Sequence, residues 1–225
     1  MTLRFVSAGA AQGLVRQLGA REGVAIDGRF GAVGAMREAF RAGEPCDVVI
    51  LTQTQVAEMA SAGEVLADSV ADLGRVATSI AVRESDPVPR VDDAARLREA
   101  LLAADAIHFP DPQRATAGVH FVGVLRSLGI HDVLAPRFRT AAHGAAAMAE
   151  MAQAAGHPIG CTQATEILAT AGVRLVGPLP AGLDLRTMYT AAVSNRAERA
   201  DEARRFVASL ASRELADVRR TAGFE

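Results

Sequence analysis

The sequence predicts an α/β fold in which short strands alternate with helices around mostly parallel sheets. The first 63 residues contain three strand–helix units, with strands at 3–8, 24–30 and 46–52 and helices at about 11–18, 34–43 and 54–63. The third strand, CDVVILT, is almost continuously apolar, as central strands of parallel sheets are. Gly43 and Gly63 close the second and third helices, which is typical of helix C-termini. Repeated units of this kind with short loops indicate a parallel sheet flanked by helices.

A second series of elements follows the strand predicted at 77–85 and the proline-containing stretch DPVPRVDD. Its predicted helices are 92–104, 119–128, 143–156, 165–172 and 198–212, and its predicted strands are 106–110, 158–163 and 187–195. The loop DPQRATAG, residues 111–118, connects the strand at 106–110 to the helix that follows it. We therefore expect two groups of α/β elements with a change of group near residue 80.

The composition excludes several classes of function. The net charge is −2, which gives no electrostatic reason to expect a nucleic-acid partner. All 24 basic residues are arginine, so no lysine is available for a Schiff base or as a general base. No apolar run approaches the roughly 18 residues that a membrane span needs, and we expect no membrane insertion. Met1 leads directly into a strand-like run without signal-peptide features, which predicts a cytoplasmic protein as written, or a periplasmic one if the chain is a processed mature form.

The sequence gives no indication of a metal or a cofactor. Cys46 and Cys161 are far apart in apolar surroundings and are expected to be buried, inert thiols. The five histidines show neither HxH nor HxxxH spacing. The glycine-rich nucleotide motifs GxGxxG and GxxxxGK[ST] are absent, as are GxSxG and HExxH. We therefore expect neither a metal site nor a cofactor.

Several segments together resemble one known family. The segments FGAVGAMREAFRAGEPCDVVILT, FPDPQRATAGVHFVGVLRSLGI, GCTQATEI and SRELADVRRTAGFE occur in the order and spacing of the periplasmic-type molybdate-binding proteins. The resemblance implies a type II solute-binding fold, in which two α/β lobes are joined by two crossing strands and hold a ligand in the cleft between them. It assigns residues 1–78 plus 190–225 to lobe one and residues 79–189, with the crossing strands, to lobe two. It implies an ABC transporter as a partner only if the protein is exported.

The resemblance also predicts which residues bind the ligand. In SAGAAQ, FGAVGA and DPQRATAG a turn rich in small residues leads into a helix, and the first N–H groups of a helix are natural anion ligands. Gly31 and Gly34 are expected to give the second of these turns its tightness. The expected ligand-binding residues are Gly9, Ala10, Ala11, Val33, Gly34, Thr52, Arg114, Thr116, Ala117, Gly118 and Gln163.

The chain departs from the family pattern at three of these positions. Ala10 and Val33 stand where the family has serines that hold a tetrahedral oxyanion, and Gln163 stands where it has a tyrosine. Each hydroxyl lost from a dehydrated anion site costs about 1–3 kcal/mol. These departures predict a small organic anion, such as a carboxylate, rather than molybdate.

Some polar side chains have both a functional and a structural interpretation. Arg114 is either a bidentate carboxylate ligand or a solvated loop arginine, and Thr116 is expected to cap the helix after it. His120 and His143 are predicted at helix starts, where each could hydrogen-bond an anion, act as a general base, or cap a helix. Thr165 and Glu166 are expected to be a helix cap and a first-turn acid. Thr52 either faces the ligand or caps the next helix.

Two functions remain open. The first is binding of a small-molecule anion by closure of the two lobes, without chemistry. The second is isomerisation of an unsaturated di- or tricarboxylate, because relatives of the molybdate-binding family include an isomerase that moves a double bond in aconitate. In that case His120 or His143 would transfer the proton. Of these two functions the sequence favours anion binding. It predicts neither the identity of the ligand nor the oligomeric state.

Overall fold

The computed structural model describes all residues from Met1 to Glu225. Its strands are Thr2–Ala8 (β1), Ala25–Gly31 (β2), Val48–Thr52 (β3), Ala71–Arg83 (β4), Ile107–Pro110 (β5), Phe138–Ala141 (β6), Ile159–Gln163 (β7), Val173–Pro178 (β8) and Arg186–Val193 (β9). Its α-helices are Gln12–Glu22 (α1), Val33–Arg41 (α2), Gln53–Ser61 (α3), Ala94–Ala103 (α4), Thr116–Ser127 (α5), His131–Leu134 (α6), Gly144–Ala152 (α7), Ala164–Leu168 (α8), Ala200–Ala211 (α9) and Ala216–Thr221 (α10). None of these helices has the length and apolar character needed to cross a bilayer.

The chain forms two compact units. Unit 1 contains Met1–Val76 and Thr187–Glu225, and unit 2 contains Ala77–Arg186. Strand β4 runs from one unit into the other, and β9 begins where the chain returns to unit 1. The α/β fold class predicted from the sequence is confirmed, whereas the use of these units as two ligand-binding lobes stays a prediction.

Unit 1 is built on a sheet in which β1 lies between β2 and β3 and is parallel to both. Strand β9 pairs antiparallel with β3, which joins the C-terminal segment to the N-terminal strands. Helix α9 packs its buried face on this sheet, and the ring of Phe206 meets that of Phe5 edge to face, with centroids 5.5 Å apart. The apolar run of β3 is buried throughout Val48–Leu51, as a central strand requires.

A buried ionic network also holds the C-terminal segment of unit 1. The carboxylate of Asp47 accepts hydrogen bonds from the backbone N–H of Arg4 at 2.9 Å and from the backbone N–H of Glu198 at 3.0 Å. The Arg4 guanidinium forms an ion pair with the same carboxylate at 3.3 Å. Burial alone would raise the pKa of Asp47, but the hydrogen bonds and charge of Arg4 outweigh it and hold the pKa below its usual value.

Unit 2 is built on a five-stranded sheet in the order β8-β4-β7-β5-β6. Strand β5 is parallel to β6 and β7, whereas β4 is antiparallel to β7 and β8. One face packs on α4 and α5, where the rings of Phe109 and Phe121 meet edge to face at 5.5 Å. The other face packs on α7 through Met148 and Met151, which are fully buried.

The structure adds elements that the sequence pattern did not predict. Strand β6 has the sequence FRTA with only partial burial, so it lacks the apolar run that marks a central strand. The stretch after residue 173 forms strand β8, and a short helix, α10, precedes the C-terminus. The helices predicted at 143–156 and 165–172 are shorter, and end at Ala152 and Leu168.

Candidate functional site

In unit 1, three helix starts lie at one edge of the sheet. Because β1, β2 and β3 are parallel, their carboxyl ends point the same way, and a helix follows each of them. The residues at these ends include all the predicted ligand positions of unit 1, namely Gly9, Ala10, Ala11, Val33, Gly34 and Thr52. None of these helix starts has a side-chain cap, so no side chain accepts a hydrogen bond from their first N–H groups. Thr52 occupies the N-cap position of α3 without making a capping bond.

The helix starts of unit 1 present small and apolar side chains. Ala10 and Val33 are both more than nine-tenths buried, and the Ser7 hydroxyl is bonded to the backbone carbonyl of Ala8 at 3.0 Å. Two buried side-chain oxygens near this edge lack hydrogen-bond partners, namely Oε1 of Gln55, in the first turn of α3, and Oγ1 of Thr187, at the start of β9. An anion at this edge would therefore meet mainly backbone N–H groups and hydrocarbon.

The turn before α2 does not depend on glycine in the way that the sequence suggested. Neither Gly31 nor Gly34 adopts a positive φ, so the expectation that they permit an unusually tight turn is wrong. Gly31 is the last residue of β2 and Gly34 is already inside α2. A Cβ on Gly31 would lie 3.0 Å from Cε of Met36, at the flexible end of a side chain of α2.

In unit 2, three further helix starts gather at one sheet edge. Strands β5, β6 and β7 are parallel, and α5, α7 and α8 begin at their carboxyl ends. The predicted residues Arg114, Thr116, Ala117, Gly118 and Gln163 lie at these starts. A Cβ on Gly118 would overlap the carbonyl oxygens of Pro110 and Asp111, so only glycine allows α5 to approach the end of β5 this closely.

The loop before α5 differs in detail from its prediction. The carboxylate oxygen Oδ1 of Asp111 accepts the backbone N–H groups of Gln113 at 2.7 Å and of Arg114 at 3.2 Å, and this turn lets the helix begin at Thr116. Thr116 is therefore the first helical residue and not the N-cap, which is Ala115. Arg114 is exposed in this loop, and its role as a ligand stays a prediction.

The strongest sign of a ligand site is a group of buried polar atoms that lack partners at the end of β7. Gln163 is 3% exposed, and neither its Oε1 nor its Nε2 makes a hydrogen bond. The hydroxyls of Thr165 and Thr78 are also buried and unpartnered, and Thr78 is the cross-strand partner of Gln163. Buried polar groups are normally satisfied, and each one left without a partner costs about 1–3 kcal/mol. These atoms lie at a row of helix starts, where water or a bound molecule can supply the missing partners.

Thr165 does not have the capping role that the sequence predicted for it. The N-cap of α8 is Gln163, and no side chain caps this helix. Thr165 lies inside the first turn with its hydroxyl unpartnered, so it belongs with Gln163 as a possible ligand contact. Sequence reasoning missed Thr78 because its place beside Gln163 depends on strand pairing between distant parts of the chain.

The two histidines predicted as functional, His120 and His143, have defined hydrogen bonds. His143 is the N-cap of α7, and its Nδ1 accepts the backbone N–H of Ala146 at 3.3 Å, so the capping interpretation is confirmed. Burial lowers the pKa of His143, and in the neutral ring the proton then sits on Nε2. His120 lies in the second turn of α5, not at its start, with Nε2 2.7 Å from the carbonyl oxygen of Leu183. Since a carbonyl only accepts, Nε2 carries a proton and Nδ1 is the basic atom of neutral His120.

A buried carboxylate lies directly behind this edge. Glu166 is in the first turn of α8, as predicted, but it is 7% exposed and accepts a hydrogen bond from the Thr162 hydroxyl at 2.6 Å. Burial raises its pKa, although the Thr162 hydroxyl and the backbone N–H groups of Ala145, Gln163 and Gly144 act in the opposite direction. The sequence did not predict this contact, because Thr162 lies in β7 and its four-residue spacing to Glu166 is not a helical one.

The structure contains no group of three or more histidine, cysteine, aspartate or glutamate residues placed to hold a metal ion. Cys46 and Cys161 are free and buried, as predicted. Burial raises the pKa of Cys46 to about 12 and that of Cys161 well above its usual value, so both thiols stay protonated at neutral pH. Neither thiol is a reactive group.

The comparison with known proteins identifies the family. Residues 3–225 match the family model of the bacterial extracellular solute-binding proteins. The chain belongs to this family. It is 24% identical to an aconitate isomerase from a Pseudomonas species over 100% of this chain and 87% of that protein. It is also 24% identical to the molybdate-binding protein of Escherichia coli K12, over 82% of this chain and 72% of that protein.

Solved structures confirm the predicted fold. The periplasmic molybdate-binding protein of Azotobacter vinelandii superposes with a TM-score of 0.78, covering 99% of this chain and 98% of that chain at 20% identity. The type II solute-binding fold, similar to that of molybdate-binding proteins, is therefore established for this chain. At this level of identity the likeness concerns the fold, and the ligand has to be argued from the residues themselves.

Proposed function

We propose that this protein binds a small organic anion, with a carboxylate preferred over molybdate. Family membership supports solute binding in general. The observation that supports this class of ligand is the set of unpartnered polar side chains at the end of β7, where Gln163, Thr165 and Thr78 are buried together in unit 2. An ABC transporter would be a partner only of an exported form.

The chemistry of these groups suits a carboxylate with further polar substituents. The starts of α5 and α8 have no side-chain cap, so their first backbone N–H groups and the helix dipoles favour a negative charge there. The Gln163 amide provides both a donor and an acceptor, which a hydroxyl or a second, protonated carboxyl can use but a bare oxyanion cannot use fully. In unit 1, the hydrocarbon of Ala10 and Val33 suits carbon atoms better than a fourth oxygen.

A thermal-shift screen tests the proposal. The probes are cis-aconitate, citrate, succinate, phosphate, sulfate and molybdate, each at the same concentration and ionic strength. We expect one or more of the organic acids to raise Tm in a saturable way, because a ligand that binds only the native state stabilises it. A larger shift with molybdate than with every organic acid would contradict the proposal.

A second candidate function is a cofactor-independent isomerase that acts on an unsaturated tricarboxylate such as aconitate. It is supported by the relative named aconitate isomerase, which aligns with the whole of this chain. In such a reaction a base removes a proton from the carbon next to the double bond, and the electron pair spreads over three carbons. The same proton, or one from water, then returns at the far carbon, which moves the double bond without a net change in atoms.

The hydrogen bonds of the histidines give them different roles in this second candidate. The Nε2–H of His120 is bonded to the Leu183 carbonyl, so its Nδ1 is the atom that could accept a proton. The Nδ1 of His143 accepts the Ala146 N–H, so its Nε2–H could only donate a hydrogen bond to a substrate carboxylate. We therefore propose His120 as the base and His143 as a hydrogen-bond donor.

Proton NMR of cis-aconitate in D2O separates the two functions. An isomerase incorporates deuterium and accumulates the product, and we expect His120→Ala to abolish this exchange. His143→Ala should reduce it, whereas His157→Ala, a change at an exposed residue, should leave it unchanged. A thermal shift with cis-aconitate but no deuterium incorporation would identify a binding protein.

A further inference from the structure

Strand β2 leaves one backbone edge of unit 1 without a partner. It is the outermost strand of the sheet, and its only neighbouring strand is β1. The pairing with β1 is regular over all seven residues of β2, without a bulge, and β2 contains no proline. A sheet edge of this length and regularity is a template for pairing with a further strand.

The register with β1 shows which backbone groups lie on the free edge. The backbone N–H of Ala25, the first residue of β2, donates to the carbonyl of Met1 at 2.8 Å, just before β1. In a parallel pair, alternate residues of a strand direct both N–H and C=O to the same neighbour. The odd-numbered residues of β2 therefore bond to β1, and the even-numbered residues direct these groups away from the sheet. The residues on the free edge are Ile26, Gly28 and Phe30.

The side chains along this edge are symmetric about Gly28. Asp27 and Arg29 flank it on one face of β2, carry opposite charges and are both exposed. Ile26 and Phe30 flank it on the other face, and both are only partly buried. When two copies of a strand pair antiparallel, residues equally far from the centre lie opposite each other. Each acid of β2 would then meet a base, and each apolar side chain would meet another.

We propose that two copies of this chain associate through their β2 strands, paired antiparallel about Gly28. Gly28 of each copy exchanges two backbone hydrogen bonds with Gly28 of the other, and Ile26 does the same with Phe30 of the second copy. Asp27 lies opposite Arg29 of the second copy in a pair without backbone hydrogen bonds, where cross-strand side chains are closest. The twofold symmetry makes each of these side-chain contacts occur twice.

The charges select this register over the neighbouring ones. A pairing centred on Asp27 would place that carboxylate opposite its own copy, and one centred on Arg29 would do the same with the guanidinium. Arg29 contacts Glu44 at 3.2 Å through one of its nitrogens, which leaves further N–H groups for the second copy. Asp27 has no ion pair within its own chain. Backbone hydrogen bonds therefore supply the attraction, and the charges determine which residues meet.

The other sheet edges of the molecule lack these properties. Strand β6 has only four residues. The pairing of β8 with β4 shifts register after Ile80, and β8 ends in Pro178. Short strands, bulges and prolines are features that protect an edge from pairing with another chain. Strand β2 has none of the three, and its charges attract an antiparallel copy.

Analytical ultracentrifugation of the full chain at increasing protein concentrations tests the proposal. We expect a weak, concentration-dependent dimer, because two paired seven-residue strands form a small interface. Asp27→Arg and Arg29→Asp should each weaken dimerisation about tenfold or more, since two attractive pairs become repulsive. Glu99→Arg, at an exposed residue of α4, should dimerise as the wild type does. A wild type that stays monomeric at every concentration, or charge reversals that leave its dimer unchanged, would overturn the proposal.

The two charge reversals should complement each other. In an equimolar mixture of Asp27→Arg and Arg29→Asp, every cross-strand pair of a mixed dimer again joins opposite charges. We therefore expect the mixture to associate about as strongly as the wild type, although each variant alone does not. Such recovery also shows that both variants are folded. A mixture that is as monomeric as its components would refute the register.

Amide hydrogen exchange of the wild type locates the contact. The N–H groups of Ile26, Gly28 and Phe30 should exchange more slowly at high than at low protein concentration, because they donate across the edge only in the dimer. Those of Asp27 and Arg29 already bond to β1 and should not change. A dimer without slower exchange at the three free-edge amides would place the interface elsewhere and contradict the proposal. None of these outcomes affects the proposed binding of an organic anion.

Discussion

The two units have the same arrangement of parallel strands and helix starts, but they differ in the side chains placed there. In unit 1 the helix starts carry Ala10 and Val33, and the buried carboxylate of Asp47 is paired with Arg4. In unit 2 the helix start at Gln163 carries an unpartnered amide, and the buried carboxylate of Glu166 has no cation. The buried carboxylate of unit 1 is satisfied within the protein, whereas the buried Gln163 amide of unit 2 has no hydrogen-bond partner there. The difference predicts that unit 2 determines which anion is bound.

The largest expected effect concerns the satisfied carboxylate of unit 1. Asp47→Ala should lower the free energy of unfolding by about 3–5 kcal/mol, because it leaves Arg4 and two backbone N–H groups without their acceptor. Urea unfolding measures the change, and Asp201→Ala, at an exposed residue of α9, is the control. A loss no larger than that of the control would mean that this network does not hold unit 1 together.

The second prediction concerns the affinity for molybdate, which the apolar side chain of Val33 in unit 1 is expected to lower. Val33→Ser restores a hydroxyl at the start of α2 and should improve the affinity for molybdate by about 1–3 kcal/mol, roughly 5- to 150-fold. Calorimetric titration with molybdate measures it, and Val119→Ser, at an exposed valine of α5, should change nothing. Wild-type affinity for molybdate equal to that of Val33→Ser would show that the missing hydroxyl is not what sets the preference.

A smaller effect on stability is expected at the unpartnered amide of unit 2. Gln163→Leu should raise the free energy of unfolding of the ligand-free protein by about 1 kcal/mol, because it removes two buried polar atoms without partners. The matched control is Gln153→Leu, at an exposed glutamine, which should be close to neutral. A clear loss of stability in Gln163→Leu would show that the amide already has its partners in the free protein.

The two buried carboxylates should give opposite pH dependences of stability. The pKa of Asp47 is lowered in the native state, so its contribution is present above the unfolded-state pKa and is lost as pH falls through the native one. The pKa of Glu166 is raised, so its contribution is present below the unfolded-state pKa and is lost as pH rises through the native one. Urea unfolding, carried out from acid pH below the unfolded-state pKa values up to neutral pH, measures the free energy of unfolding that each carboxylate contributes. The variants are Asp47→Asn and Glu166→Gln. Each variant should lack the slope of its own carboxylate, and the same sign of slope for both would contradict the assignment.

The strands of unit 1 could be predicted from the sequence because their signal is local. An apolar run such as Val48–Leu51 and the glycine after a helix mark the element without reference to the rest of the chain. Strand β6 could not be predicted in this way, because FRTA is polar and becomes a strand only by pairing with β5.

The site could be predicted only in part for a similar reason. Helix starts after strands are visible in the sequence, and so is the absence of serine at Ala10 and Val33. Whether a polar side chain is satisfied depends on neighbours from distant segments. Thr78 meets Gln163 through strand pairing, and Glu166 meets Gly144 through the packing of two helices. Such contacts have no local pattern, so Thr78 was missed and Thr165 was assigned to a cap.

The most direct test of the account is the affinity of the wild type and of Gln163→Leu for cis-aconitate, measured by calorimetric titration under the same conditions. A hydrogen bond to a charged ligand contributes about 1.5–3 kcal/mol, so we predict that the variant binds roughly 10- to 150-fold more weakly. Gln153→Leu should bind as the wild type does. Equal affinity of the wild type and Gln163→Leu for cis-aconitate would contradict the claim that the polar groups of unit 2 receive an organic carboxylate.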